Sequence, residues 1–269
     1  MAIDSYNPDF LTVMARMGAK PDRDAPNKGT LSISDGLKAH GIVRVAPLML
    51  LADMVVGMQL ESLIEDWTFT TDFSFRRSNA SEGKSVHAES RILRHGKRMF
   101  IEEVKYWNRE GNEVGCSQIT FLRTPLREGE TKPDIRGIRE RMATNDIPPL
   151  EEPIDNLAGI VVQDTSSGRV VVNPDDSVRR PGGFVQGAIM TLIGEVSAQI
   201  FAEEHYQAPC IITGLDARYL IGGRTGPLTT SAEWIGDPGS GSIKVELFDE
   251  GHDVLSCTFL VYVQPVHTK

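Results

Sequence analysis

The chain has 269 residues, a length that suits one large domain or two domains of about 130 residues each. Hydrophobic residues make up 40% and charged residues 24%, a balance that supports a packed core and argues against a largely disordered chain. The formal net charge is −9. Because nucleic acids and anionic membranes attract proteins through an excess of Lys and Arg, neither is expected as a partner.

The sequence gives no indication of a membrane span, a secretory signal or a disulfide framework. The most apolar stretches, 41–58 and 184–202, each contain a carboxylate, and no uninterrupted apolar run reaches the roughly 18–20 residues of a spanning helix. The first ten residues lack a basic start followed by an apolar block. The three cysteines, Cys116, Cys210 and Cys257, are odd in number and far apart. We therefore expect a cytoplasmic protein.

An internal repeat divides the chain. The segment KAHGIVRVAPLMLLAD at 38–53 matches RPGGFVQGAIMTLIGE at 180–195 in a glycine, a valine, an alanine and a leucine, and both segments end on a carboxylate. Self-similarity of this kind indicates two copies of one structural unit, joined here by a segment rich in proline and charge. The first copy, the linker and the second copy are predicted at 1–124, 125–155 and 156–269.

The same elements are predicted in the same order within each copy. An amphipathic helix at 8–18 opens the chain, and a loop follows to about residue 29. Each copy then has short strand segments, a long apolar helix and a run of alternating strands. In the first copy these are 30–33, 46–64, 67–76, 84–94, 98–107 and 112–123. In the second copy they are 158–164, 168–173, 188–205, 211–220, 228–235, 242–248 and 253–263. This order predicts an α+β fold with a buried helix against an antiparallel sheet.

Two carboxylates, Asp53 and Glu195, lie within the apolar helices at the same repeat position. Burying a carboxylate costs several kcal/mol unless it is paired or neutralised. A solvated helix face or a buried arginine partner would explain one such residue. Two at equivalent positions favour a chemical role, because burial raises the pKa of a carboxyl group towards the range that suits a general base or a nucleophile.

The loops before the helices offer a complementary group. Val45 and Gly187 lie at the predicted helix starts, where free N–H groups and the helix dipole stabilise an oxyanion. A plain tight turn is the alternative reading. Each carboxylate is eight residues, about 12 Å, along its own helix, too far to serve its own loop. Antiparallel helices would instead combine Asp53 with Gly187 and Glu195 with Val45.

The pattern around both helices resembles the signature of hotdog-fold acyl-CoA thioesterases of the phenylacetate-pathway and 4-hydroxybenzoyl-CoA type, N-P-x-G-x-x-H-G-G-x-x-x-x-L-x-D/E. The resemblance covers about 30–124 and 158–264. It implies two hotdog units in one chain, each an antiparallel sheet wrapped around a long central helix. It also implies hydrolysis of an acyl-CoA with water, no cofactor and no metal, with the acyl chain in an apolar tunnel between the copies.

The resemblance assigns roles to residues at both helix starts. The carboxylates of Asp53 and Glu195 would act as general base or nucleophile, and the N–H groups of Gly187 and Val45 would polarise the thioester carbonyl. The adjacent residues expected to contact the substrate are Arg44, Ala46, Gln186 and Ala188. The usual histidine is replaced by arginine or glutamine, which leaves open whether one or both sites are active. We favour Asp53 with Gly187, because glycine allows the closest approach of a thioester.

Other functions stay open at this point. The missing histidine favours a non-catalytic hotdog protein that binds acyl-CoA or lipid, and a purely structural partner protein would bind neither. A hotdog hydratase needs an Asp and His pair after an N-P-x-H turn, whereas Asn173-Pro174 is followed by Asp-Asp-Ser. The resemblance also implies a homo-oligomer, a dimer of tandem hotdogs.

Overall fold

A computed structural model describes residues 12–132, 134–180 and 183–266. The first half contains α1 (Val13–Arg16), β1 (Ala19–Pro21), β2 (Lys28–Ser32), β3 (Lys38–Ala39), β4 (Ile42–Val43), α2 (Val45–Leu63), β5 (Trp67–Arg77), β6 (Ser85–His95), β7 (Met99–Asn108) and β8 (Glu113–Thr124). The connecting segment contains α3 (Ile135–Thr144) and α4 (Ile154–Leu157). The second half contains β9 (Val161–Asp164), β10 (Arg169–Val172), α5 (Gly187–Tyr206), β11 (Cys210–Tyr219), β12 (Leu228–Trp234), β13 (Ser242–Asp249) and β14 (Val254–Pro265).

Twelve of the strands form one continuous antiparallel sheet. Its order is β1-β2-β6-β7-β8-β5-β11-β14-β13-β12-β10-β9, so each half contributes six neighbouring strands in equivalent order. Strands β3 and β4 form a separate small hairpin before α2. The two halves meet where β5 pairs with β11. The repeat in the sequence therefore corresponds to a repeat in the fold.

Two equivalent ion pairs connect β5 and β11 at the seam between the halves. Arg76 of β5 contacts Asp216 of β11 at 2.8 Å, and Arg218 of β11 contacts Asp72 of β5 at 2.9 Å. Phe73 lies opposite Ala217 between them. Because each pair repeats the other with the strands exchanged, the halves are related by an approximate twofold axis through the seam.

The long helices α2 and α5 pack against each other and against the sheet. Their side chains supply much of the buried core, including Leu51 and Leu192, which are fully buried. The close approach of α5 to β14 requires a glycine, since a Cβ atom at Gly194 would lie 2.6 Å from the ring of Phe259. Helix α2 is long and apolar enough to span a membrane by length and composition, but most of it is buried inside the fold.

These elements confirm the α+β fold with two helix-and-sheet units, and the bounds of the long elements lie within two residues of the predicted ones. The predicted helix at 8–18 lies partly outside the described residues, and its described part is the short helix α1. The division into 1–124, 125–155 and 156–269 stays a prediction, because both halves share one sheet.

The connecting segment is more ordered than its prolines and charges indicated, because it contains the helix α3. The side chain of Asp134 caps this helix by accepting a hydrogen bond of 3.1 Å from the Gly137 N–H. Helix α3 packs against α2 and β1. Its apolar face at Ile135 and Ile138 has too few residues for a helix to be predicted among the surrounding charged residues.

Candidate active site

The two long helices run antiparallel, and the middle of each lies beside the start of the other. The carboxylate of Glu195 in α5 contacts Val45 at the start of α2. The carboxylate of Asp53 in α2 contacts Gln186, the residue that caps the start of α5. The structure therefore places each acid of the repeat against the opposite half.

The carboxylate of Glu195 occupies the backbone amides that were expected to bind the substrate beside it. One carboxylate oxygen accepts a hydrogen bond of 2.9 Å from the Val45 N–H, and the other accepts one of 3.1 Å from the Ala46 N–H. Only 2% of Glu195 is exposed. Because the carboxylate occupies both amides, no thioester oxygen can reach them in this conformation. Burial raises the pKa of Glu195, and Arg44, the two amides and Arg77 oppose that rise.

The surroundings of Glu195 are filled by polar side chains. Arg44 donates a hydrogen bond of 2.8 Å to Gln199 and pairs with Asp155, so it contacts these residues instead of an open pocket. The space that remains beside Glu195 and Gln199 is about 10 Å³. A volume of that size holds at most about one water molecule. Among the described residues, the cavity beside Glu195 is too small for an acyl group.

Asp53 has a different environment, in which both carboxylate oxygens accept from side chains. Thr70 on β5 donates to Oδ1, and the Gln186 amide donates to Oδ2 at 3.2 Å. Burial raises the pKa of Asp53 above its usual range, and the Thr70 hydrogen bond and the nearby Arg180 guanidinium partly oppose the rise. The result is a carboxyl group held in one orientation with its pKa shifted towards neutrality.

Gln186 links Asp53 to the start of α5. Its side-chain oxygen accepts a hydrogen bond from the Ala188 N–H, and its amide nitrogen donates to Asp53. This position corresponds to the histidine of the thioesterase pattern. The N–H of Ala188 is therefore occupied, and Gln186 contacts the acid of the opposite half.

The Gly187 N–H is the remaining donor at this helix start. Among residues 12–132, 134–180 and 183–266 it finds no acceptor. A Cβ atom at this position would lie 3.2 Å from Met49 and 3.7 Å from the Tyr219 ring, so both side chains pack against this glycine. A free N–H at the positive end of a helix dipole can bind a developing oxyanion.

A pocket of about 210 Å³ adjoins Asp53. It is lined by Asp53, Met54, Gly57, Met58, Glu61, Thr68, Thr70, Phe121, Ile135, Ile138 and Arg180. All but Arg180 belong to the first half or to the linker helix α3. The pocket therefore differs from the tunnel between the copies that the sequence led us to expect.

Sequence reasoning missed Thr70 and Arg180 at this site. Thr70 follows Asp53 by 17 residues and belongs to a strand whose register could not be fixed from the sequence alone. Arg180 matches Lys38 in the repeat, but the two differ in surroundings. The Arg180 guanidinium lies 4.8 Å from the Phe69 ring centre and lines the pocket, whereas Lys38 pairs with the exposed Asp35. Within the described residues, no three His, Cys, Asp or Glu side chains converge as metal ligands would.

Comparison with known protein families and with curated proteins finds no match. Solved structures do match over nearly the whole chain. An acyl-ACP thioesterase from Bacteroides thetaiotaomicron is 12% identical, with a TM-score of 0.62, over 90% of this chain and 100% of that one. The tesB protein of Mycobacterium avium subspecies paratuberculosis is 12% identical, with a TM-score of 0.60, over 94% and 98%.

A third structure, a protein of unknown function with a hotdog fold from Alicyclobacillus acidocaldarius, is 9% identical, with a TM-score of 0.60, over 96% of this chain and 98% of that one. Because these similarities extend across both halves of the chain, they establish the fold as a tandem hotdog. This confirms the fold that the helix signature implied.

Proposed function

We propose that the protein hydrolyses acyl thioesters, with acyl-CoA as the expected substrate, at the site formed by Asp53 and the Gly187 N–H. The observation that carries this proposal is the position of the Asp53 carboxylate, which bonds to Gln186 beside an amide that has no acceptor among the described residues and opens onto a pocket of about 210 Å³. An acid, an oxyanion donor and space for an acyl group are the three parts that the reaction needs.

In the proposed reaction the thioester oxygen accepts a hydrogen bond from Gly187, and Asp53 takes a proton from a water molecule. The water oxygen attacks the carbonyl carbon, and the resulting oxyanion is stabilised by the amide and the helix dipole. The carbon–sulfur bond then breaks, and the leaving thiolate recovers the proton from Asp53. The products are a free acid and a thiol.

Thr70 and Gln186 act in this proposal as positioning residues. Each donates to one oxygen of Asp53, which fixes the plane of the carboxylate. Their hydrogen bonds also favour the charged carboxylate that a base requires, against the effect of burial. Arg180 adds a positive charge on the same side.

Glu195 has a structural role in the proposal. Its carboxylate already satisfies the amides of Val45 and Ala46, and the adjoining space is about 10 Å³. Of the two composite sites predicted from the sequence, the one that contains Asp53 and Gly187 is therefore proposed to be active. The cytoplasmic location and the dimer of tandem hotdogs stay predictions.

The test is the release of free thiol from a panel of acyl-CoA and acyl-ACP thioesters by the parent protein, Asp53→Asn and Glu195→Gln. Loss of a general base lowers the rate by about 100-fold to 10,000-fold, so Asp53→Asn should be nearly inactive. Glu195→Gln should retain activity below its melting temperature. Full turnover by Asp53→Asn would refute the proposal. Binding of acyl-CoA without thiol release by the parent would instead support a non-catalytic binding protein.

A single turnover in ¹⁸O-labelled water tests for a nucleophile that is attacked at its own carbonyl. A base places the label directly in the product acid. A nucleophilic Asp53 would first form an anhydride with the acyl group, and attack of water on the Asp53 carbonyl of that anhydride would place the label in the carboxylate of the protein. We expect the label in the product, because both oxygens of Asp53 are held by donors in the structure.

A further inference from the structure

The two halves differ at the residue that lies one helical turn after the acid. In α2 this residue is Gly57, which lines the pocket beside Asp53. In α5 the equivalent residue is Gln199, which accepts a hydrogen bond from Arg44 and donates one of 2.9 Å to Glu203. The site with the glycine has a pocket of about 210 Å³, and the site with the glutamine has about 10 Å³. The half with glycine at this position therefore has an open site, and the half with glutamine has a closed one.

Packing does not require a glycine at residue 57. A Cβ atom there would meet only the Phe121 ring, at 3.8 Å, which is an ordinary van der Waals distance. Glycine is also less favourable than alanine inside a helix, because it loses more backbone freedom on folding. A residue that lowers helix stability and leaves space beside a candidate catalytic acid indicates that the space itself has a use.

The pocket follows one face of α2. Asp53, Gly57 and Glu61 are spaced by four residues, so they lie in a row along the helix. The distance from the first to the third is about 12 Å along the axis. Met54, Met58 and Phe121 add apolar surface between the two carboxylates.

The far end of the row is closed by polar contacts. Glu61 accepts a hydrogen bond of 2.7 Å from the Thr68 hydroxyl and pairs with Lys132. Lys132 in turn donates to the carbonyl of Ile64 at 2.8 Å. Because Glu61 contacts both Thr68 and Lys132, polar groups close the end of the pocket that lies away from Asp53.

The outer wall of the pocket comes from the linker helix α3. Ile135 and Ile138 lie one turn apart on this helix and both line the pocket. The opposite side of α3 is polar, as shown by the exposed pair of Arg136 and Glu140. The segment between the two hotdog units therefore completes the pocket in addition to connecting them.

We propose that Gly57 and Ile138 set the largest acyl group that the protein accepts, an unbranched chain of up to about eight carbons that lies between α2 and α3. This inference rests on the proposed function, because it assigns the acyl group to the pocket beside Asp53. The thioester carbonyl lies at Asp53, and the end of the chain reaches towards Glu61. A larger side chain at residue 57 shortens the accepted chain, and a smaller one at residue 138 lengthens it.

The experiment measures kcat/KM for saturated acyl-CoA thioesters from butanoyl to tetradecanoyl, with binding of the same series as a second readout. In the parent, kcat/KM should fall beyond octanoyl-CoA. Gly57→Leu should lower octanoyl relative to butanoyl turnover by about tenfold or more, since each methylene group that a pocket rejects has an effect of that order. Ile138→Ala should raise dodecanoyl relative to octanoyl turnover by about tenfold.

Matched controls come from the same two helices. Ser62→Leu adds the same side chain to an exposed position of α2, and Arg136→Ala shortens an exposed side chain of α3. Both should keep the chain-length profile of the parent. Gly57→Ala provides a milder variant if Gly57→Leu does not fold, and its profile should shift in the same direction by a smaller factor.

The outcomes separate this inference from the proposed function. If Gly57→Leu folds like the parent and keeps its chain-length profile, the pocket assignment is wrong although the protein is a thioesterase. If the parent binds acyl-CoA without releasing thiol, the proposed function fails, and the chain-length dependence of binding in the same variants decides the pocket assignment. If the parent neither binds nor hydrolyses any member of the series, both are overturned.

Discussion

The amide of Val45 donates a hydrogen bond of 2.9 Å to Glu195, a residue 150 positions further along the chain. The corresponding contact in the other half is indirect, because the side chain of Gln186 lies between Asp53 and the start of α5. One acid is therefore bonded to the backbone of the opposite half. The other is held by side chains, next to a pocket and to an amide that has no acceptor within the part of the chain that the structure describes.

Glu195→Gln should destabilise the fold. A glutamine has one acceptor oxygen where the carboxylate has two, so one of the amides of Val45 and Ala46 would face an NH₂ group. An unsatisfied buried donor costs about 1–3 kcal/mol, and urea denaturation should show a loss of that order. Glu204→Gln, at an exposed position of the same helix, should be neutral. Equal stability of the two variants would show that the Glu195 contacts contribute little.

Arg180→Met should move the acidic limb of the pH profile of kcat/KM to higher pH. The Arg180 guanidinium lowers the pKa of Asp53, so its removal raises that pKa. A general base works only when it is deprotonated, and activity would then appear at higher pH. Lys38→Met changes the equivalent residue of the first half, which pairs with the exposed Asp35, and should leave the limb in place. If the acidic limb of the kcat/KM profile stays in place in Arg180→Met, Arg180 does not act on the pKa of Asp53.

The stability of Asp53→Asn relative to the parent should rise with pH. The folded-state pKa of Asp53 is raised above its usual value of 3.8, so the stability that this group contributes is present below that value and is lost as the pH rises through the folded pKa. Asparagine does not titrate. The difference between the two proteins should therefore move in favour of Asp53→Asn as the pH rises from about 4 to about 8.

The control for this effect is Asp35→Asn, because the neighbouring Lys38 lowers the pKa of Asp35. That variant should show no gain in stability at pH 8. Thermal melts of the parent and both variants across the pH range provide the measurement. A pH-independent difference between Asp53→Asn and the parent would contradict the raised pKa.

Gly57→Ala should stabilise the protein. Alanine is favoured over glycine inside a helix by about 0.5–1 kcal/mol, and the added methyl group meets only Phe121 at 3.8 Å. Urea denaturation should show a gain of this size. Gly194→Ala is the contrasting variant, since its methyl group would overlap the Phe259 ring and should destabilise. A loss of stability in Gly57→Ala would show that the helix needs a glycine there.

The repeat made most of the fold predictable. The match of 38–53 with 180–195 places two acids at equivalent helix positions, and the helix rise of about 1.5 Å per residue excludes contact between each acid and its own helix start. If the two helices run antiparallel, each acid can instead meet the helix start of the other half. The alternation of apolar residues located the long strands because half-buried strands repeat every two residues.

The details of the site depend on side-chain packing that periodicity does not encode. The sequence shows equivalent carboxylates at Asp53 and Glu195, but only the structure shows that Glu195 occupies both amides. The bridge through Gln186 depends on a rotamer, and the contact of Thr70 depends on strand register. Ile138 lines the pocket, but it belongs to a segment whose composition predicts only a linker.

The connecting segment joins the two hotdog units covalently, and the seam between β5 and β11 joins their sheets by hydrogen bonds into one asymmetric pair. Two identical chains assembled in the same way would have to carry the same residue at both acid positions, so any change that strengthened one interface would alter the other equally. Fusion into one polypeptide removes that restriction. One acid position can then change towards stabilising the contact between the halves without the same change at the other position.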